Sequence, residues 1–151
     1  MEFPAEARVL TAETQDRPVT KKSKHQHLVA VVENDSSVSK ALARLLRALG
    51  YRVELFTSAT HFMNAAASSD ASCLLVDFDL GSASGLDLAR WLAASGFKFP
   101  LVFMTGSHDD EVFTLCTKFG CAAFLKKPFD DDALLRALVK AIGASERGRS
   151  V

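Results

Sequence analysis

Five short apolar runs are spaced along the chain: LVAVVE (28–33), YRVELF (51–56), SCLLVDF (72–78), FPLVFMTG (99–106) and CAAFLKK (121–127). Continuous apolar runs of this length mark strands buried on both faces. YRVELF alternates in polarity instead, as a strand towards a sheet edge does. After each run the apolar residues recur at helical spacing. The first such segment carries Val38, Leu42, Leu45, Leu46 and Leu49, with Gly50 behind it as a C-terminal cap. In the second, Ser58 caps a helix with Ala59, Phe62, Met63 and Ala66 on one face. In the third, Gly85 precedes Leu86, Ala89, Leu92 and Ala93, and Gly96 ends the helix. Val112, Leu115, Cys116 and Phe119 mark the fourth, which Gly120 ends. Asp130 caps the fifth, which carries Leu134, Ala137, Leu138 and Ala141 and stops at Gly143. Five strand–helix units in succession argue for an α/β doubly wound domain, a parallel sheet with helices on both faces and right-handed crossovers.

The 151 residues suffice for one such domain with a real core. It should span residues 27–143. Residues 1–26 show no period and contain Pro4 and Pro18, so they read as a flexible N-terminal extension, and 144–151 as a C-terminal tail. Lys+Arg and Asp+Glu both number 18, a net charge of zero that argues against direct binding to nucleic acid or an anionic membrane. The basic group Lys21, Lys22 and Lys24, with His25 and His27 nearby, reads as a solvated linker. No apolar run approaches the roughly 18 residues of a membrane span. MEFPAEARVL has no secretory pattern, so a cytoplasmic location is expected. Cys73, Cys116 and Cys121 sit in apolar segments without metal-binding spacing and are expected to be reduced core residues.

In a sheet of this kind functional groups collect beyond the carboxyl ends of the strands. The first run ends in Glu33 and Asn34, the third in Asp77 with Asp79 two residues on. The fourth ends in Thr105, and the fifth in Lys126 and Lys127 before Pro128. Confined carboxylates repel one another and suit a hard cation with oxygen ligands such as Mg²⁺. A lysine and a threonine beside that cation can hold phosphate oxygens. The composite is a phosphoryl-transfer site with a carboxylate nucleophile. Singly, Asp77 reads as a cap, Thr105 as a loop hydroxyl and Lys127 as a surface charge. Their joint placement at strand ends points to chemistry.

These motifs resemble the receiver domain of two-component response regulators: the polar pair after strand one, the aspartate after strand three, MTG after strand four and KPF after strand five. The resemblance covers about residues 27 to 143. SVSKALARLLRALGY, FTSATHF and SGLDL look most like receivers of the nitrogen-fixation-regulator type. It implies a flavodoxin-like (βα)5 fold with strand order 2-1-3-4-5, and a signalling module rather than an enzyme. By that resemblance Asp77 is the phosphoacceptor for a sensor histidine kinase, and Lys127 pairs with the phosphoryl oxygens. Thr105 is the switch hydroxyl, and Phe124 is the aromatic that changes rotamer with it. Glu33, Asn34, Asp77 and the backbone carbonyl of Asp79 would hold Mg²⁺. The Lys127–Pro128 peptide is expected to be cis.

The chain departs from the family twice. Val38 is the first core position of helix one, which makes Glu33 and Asn34 the ligand pair and leaves Asp35 outside it. Asn34 replaces an acid, keeps an oxygen ligand and removes one negative charge, so Mg²⁺ affinity should be weakened. Glu33, one methylene longer than aspartate, and the side chain of Asp79 can partly compensate. Gly81 stands where the family has proline, which loosens the loop after Asp77.

Three functions compete. A stand-alone receiver would act by docking on a downstream protein or by relaying phosphate to a phosphotransfer protein; only eight residues follow Gly143 and no output domain is expected. A pseudo-receiver would bind partners without phosphate, a reading that Asn34 feeds. A flavodoxin-like binder or small enzyme would want a glycine-rich phosphate loop after strand one, and ENDSSVS has no glycine. Phe113 on the fourth helix and Leu135, Val139 and Ile142 on the fifth are apolar residues beyond the core face. They suggest an interface. The resemblance puts a homodimer on the helix 4–strand 5–helix 5 face.

Overall fold

The computed structural model describes residues 27–80, 83–106 and 110–149. Strands β1 (Leu28–Val32), β2 (Arg52–Phe56), β3 (Cys73–Asp77), β4 (Leu101–Thr105) and β5 (Ala123–Lys126) form one parallel sheet, ordered β2-β1-β3-β4-β5. This is the doubly wound, flavodoxin-like fold expected. β1, β3 and β4 are buried at every residue, as their unbroken apolar runs require. β2 is mostly exposed and lies at the edge.

Helices α1 (Ser36–Ala48), α2 (Ala59–Ala65), α3 (Gly85–Ser95), α4 (Asp110–Lys118) and α5 (Asp131–Arg149) connect and follow the strands. Each of the first three begins on a side-chain cap that satisfies orphan N–H groups. Asp35 Oδ1 accepts from the amides of Ser37 and Val38, and Ser58 Oγ accepts from His61 N. Ser84 and Asp87 form a reciprocal capping box. Asp130 Oδ1 likewise accepts from Ala133 N, before α5. Gly96 ends α3 with a positive φ of 81°.

The sheet separates two cores. Leu42 and Leu46 of α1 and Leu134 and Leu138 of α5 pack with Val29, Val31, Leu75, Val102 and Met104 on one face. Phe62 of α2 and Leu88 and Leu92 of α3 pack with Val32, Leu74, Val76 and Phe103 on the other. Leu46, Leu134 and Leu138 are wholly buried, and trimming any of them to Ala costs about 2–5 kcal/mol. These layers fix the sheet, and the sheet fixes the strand ends where the polar residues gather.

Three expectations need correction. Ile142 is not a surface residue. It is 5% exposed and belongs to the α1–α5 core, because it continues the i, i+4, i+8 row of Leu134 and Leu138. α5 does not stop at Gly143 but runs to Arg149. No proline interrupts that stretch, and a helical glycine costs only about 1 kcal/mol. Cys73 is a free, buried thiol, but Cys121 is disulfide-bonded rather than reduced. The side chain of Cys116, the prefix 1–26 and Gly81 lie outside the described residues.

Candidate phosphoacceptor site

Parallel pairing in register aligns the strand ends. Asp77 lies beside Met104, and Thr105 beside Lys126, so β3, β4 and β5 deliver Asp77, Thr105 and Lys127 to the carboxyl end of the sheet. Glu33 follows β1, where its N–H still donates to Phe56 O at 3.0 Å. Lys127 N donates to Thr105 O at 2.8 Å, and the Lys127–Pro128 bond is cis as expected. Lys127 Nζ lies 3.1 Å from Asp77 Oδ2 and 3.5 Å from Glu33 Oε1. One ammonium therefore faces two carboxylates, and the remaining oxygens are held by the backbone. Asp77 Oδ1 accepts from Asp79 N at 3.0 Å, and Glu33 Oε2 from Asp35 N at 3.1 Å.

Glu33, Asp77 and Thr105 are buried, while Asn34 and Asp79 are exposed. Burial pushes the Glu33 pKa above its ordinary value; the Asp35 amide opposes this and the Asp77 charge adds to it. For Lys127, burial alone would lower the pKa. The hydrogen bond and charge of Asp77, with those of Glu33, outweigh it, and the net shift is upward. The ammonium form is thus favoured where a phosphoryl group would need it.

The described residues contain no cluster of three or more acidic, histidine or cysteine side chains suited to a metal. The two carboxylates of Glu33 and Asp77, with the Asn34 amide and the Asp79 carbonyl that follow them in the chain, would be the donors for a metal instead. Mg²⁺ takes one or two carboxylates and keeps several waters, so these residues fit it. Asp35 is committed to capping α1 through Oδ1, which agrees with the register that leaves it outside the ligand pair.

The switch and interface residues are arranged differently. Phe124 on β5 is half-buried and meets Phe113 edge-on at 5.9 Å between ring centres. Phe113 and Val139 are 59% and 56% exposed. Leu135 is half-buried and packs against the α1–α5 core. Phe113 and Phe124, with Ala133, Arg136, Ala137 and Lys140, help line a groove of about 520 Å³ between α4, β5 and α5. Gly85, at the start of α3, lies against Asp77, and the sequence marks it only as a glycine before a helix.

A fold of this topology, with an aspartate after β3 paired across β4 to a lysine after β5, is that of a receiver module. The family model for the response regulator receiver domain matches residues 29–139, and the chain belongs to that family. It is 35% identical over 117 residues to the response regulator protein TmoT of Ectopseudomonas mendocina, covering 78% of this chain and 53% of that one. It is 38% identical over 122 residues to the transcriptional regulatory protein FixJ of Azorhizobium caulinodans, covering 80% and 58%. The chain thus matches little more than half the length of these relatives. Among solved structures, FixJ-N superposes with a TM-score of 0.74 at 28% identity, covering 78% of this chain and 94% of that one. A receiver protein from Burkholderia phymatum gives 0.70 at 31%, covering 78% and 96%. The domain is a receiver of two-component signalling, the kind that sensor histidine kinases address.

Proposed function

We propose that Asp77 accepts a phosphoryl group from a histidine kinase, and that the domain signals by docking on a protein partner or by passing the group on. The observation that carries this reading is the Asp77–Lys127 contact at 3.1 Å, at the carboxyl end of the sheet beside Glu33 and Thr105. A carboxylate oxygen of Asp77 attacks phosphorus, and the bond to the donor nitrogen breaks. The electron pair leaves with the imidazole. Lys127 turns its ammonium from the Glu33 and Asp77 carboxylates to the incoming phosphoryl oxygens. The Thr105 hydroxyl then turns to the same oxygens, and Phe124 repacks against Phe113.

Mg²⁺, when held by Glu33, Asn34, Asp77 and the Asp79 carbonyl, offsets negative charge on the transferred group. Asn34 in place of an acid weakens that binding without removing the oxygen ligand. The domain itself is an acceptor rather than an enzyme on a separate substrate, and it works in the cytoplasm. None of the helices described is long and apolar enough to cross a membrane. A homodimer through the α4–β5–α5 face is the proposed response, with Phe113 and Val139 as its exposed apolar contacts.

The test is intact-mass measurement after incubation with Mg²⁺ and acetyl phosphate. A phosphoryl adduct on the wild type that disappears in Asp77→Asn is expected. No adduct at any Mg²⁺ concentration, even with the cognate kinase, overturns the reading. It would favour the second function, a phosphate-independent docking module, for which the observation is that Lys127 already pairs with both carboxylates.

A further inference from the structure

Gly85 opens α3, directly beneath the acceptor strand end. The positive φ values that demand glycine occur at Gly50, Gly96 and Gly120, and Gly85 does not share them. What it needs is space. A Cβ at this position would lie 3.0 Å from the Asp77 carbonyl oxygen, 3.0 Å from Phe78 Cα and 3.1 Å from Phe103 Cε1. Carbon contacts normally settle near about 3.5–4.0 Å. The Asp77 oxygen and Phe78 Cα are main-chain atoms, so neither can swing aside as a flexible side chain would.

Those atoms belong to the segment that carries the chemistry. Phe78 is held from both sides: its N–H donates to Met104 O at 2.8 Å, and its carbonyl accepts from Gly85 N at 2.8 Å. The next amide, Asp79 N, donates to the Asp77 carboxylate. The start of α3 is itself fixed by the Ser84–Asp87 capping box. A rigid helix end therefore abuts Asp77 and Phe78 at closer range than any other residue permits.

We propose that Gly85 is a positioning residue for phosphoryl acceptance. Its missing Cβ lets α3 close onto the Asp77 carbonyl, and that contact aims the Asp77 carboxylate and sets the Asp79 backbone. The inference rests on Asp77 as acceptor. Misplacement of reacting groups by about 1 Å can cost about a hundredfold in rate. Gly85→Ala should slow adduct formation from acetyl phosphate at least tenfold at equal Mg²⁺. It should also shift the Asp79 amide resonance in ¹⁵N–¹H spectra. Leu88→Val, a core change on the same helix, should do neither, which separates positioning from loss of stability.

Adduct formation in Gly85→Ala within twofold of the wild type overturns the proposal. So do unmoved Asp77–Asp79 resonances, or an equal loss in Leu88→Val. If the wild type itself takes no phosphoryl group, the acceptor reading fails, and the Asp79 resonance still decides the role of Gly85. Should Gly85→Ala not fold, Ser84→Ala loosens the same helix start more gently. Because Ser84 pairs directly with Asp79, the Asp77 and Phe78 resonances are the ones read there: shifted, they support the proposal, and unchanged, they overturn it.

Discussion

Lys127 holds two carboxylates at once, Asp77 at 3.1 Å and Glu33 at 3.5 Å. Removing it leaves two acids facing each other, both buried. Losing charged hydrogen bonds of this kind costs about 1.5–3 kcal/mol, and the partial exposure of the lysine, 32%, puts the expected loss at the lower end. Lys127→Met should therefore lower the melting temperature of the metal-free protein. Mg²⁺ should then raise that temperature more in the variant than in the wild type, because the cation takes over the charge that the ammonium supplied. Equal Mg²⁺ shifts in the two proteins, measured by calorimetry, would contradict this account of the site.

Asn34 stands at the second ligand position, where the receiver resemblance implies an acid. Restoring that acid adds one negative charge to the donor set and keeps the oxygen ligand. Asn34→Asp should raise Mg²⁺ affinity about tenfold, roughly 1.4 kcal/mol. Asp35→Asn is the contrasting change: it alters the α1 cap, whose Oδ1 accepts from Ser37 and Val38, and should leave Mg²⁺ affinity within about twofold. Titration calorimetry reads both. An unchanged affinity in Asn34→Asp shows that the ligand pair is in another register.

The sheet and most of the site were legible because both depend on period and position. Unbroken apolar runs mark β1, β3 and β4, and the ends of the apolar runs locate Asp77, Thr105 and Lys127. Val38 set the register of Glu33 and Asn34, and the cap at Asp35 agrees with it. Apolar composition alone does not separate Ile142 from the surface residues of helix five, whereas its row does, which it shares with Leu134 and Leu138. Gly143 was read as a stop although nothing after it breaks a helix. Gly85 escaped because close approach of two main chains leaves no periodic trace.

Cys73 offers a test of the core with a known sign. Complete burial pushes its thiol from 9.0 to about 12. Above pH 9 the unfolded thiol ionises while the folded one keeps its proton, so the unfolded state binds fewer protons and stability falls as pH rises. Between pH 9 and 12 that fall is about 1.4 kcal/mol per pH unit at most. Cys73→Ala should flatten the slope by that amount in denaturant titrations. At pH 8 iodoacetamide should leave Cys73 unmodified in the folded protein and label it after unfolding, read by peptide mass. Rapid labelling of Cys73 in the native state would show that the β3 core opens far more readily than its packing indicates.

Phe113 lines the groove between α4, β5 and α5, Val139 lies on α5, and each is more than half exposed. Replacing exposed side chains disturbs folding little, within about 0.5 kcal/mol per site. Phe113→Ser with Val139→Ser should thus leave the melting temperature close to that of the wild type. If this face carries the homodimer, the double variant should sediment as a monomer under phosphorylating conditions in which the wild type sediments as a dimer. Phe113→Ser should also perturb Phe124, its edge-on neighbour, so the coupling from Thr105 to the surface weakens even in the single variant. A dimer that survives both substitutions at micromolar protein moves the interface to another face, and a wild type that stays monomeric when phosphorylated removes it altogether.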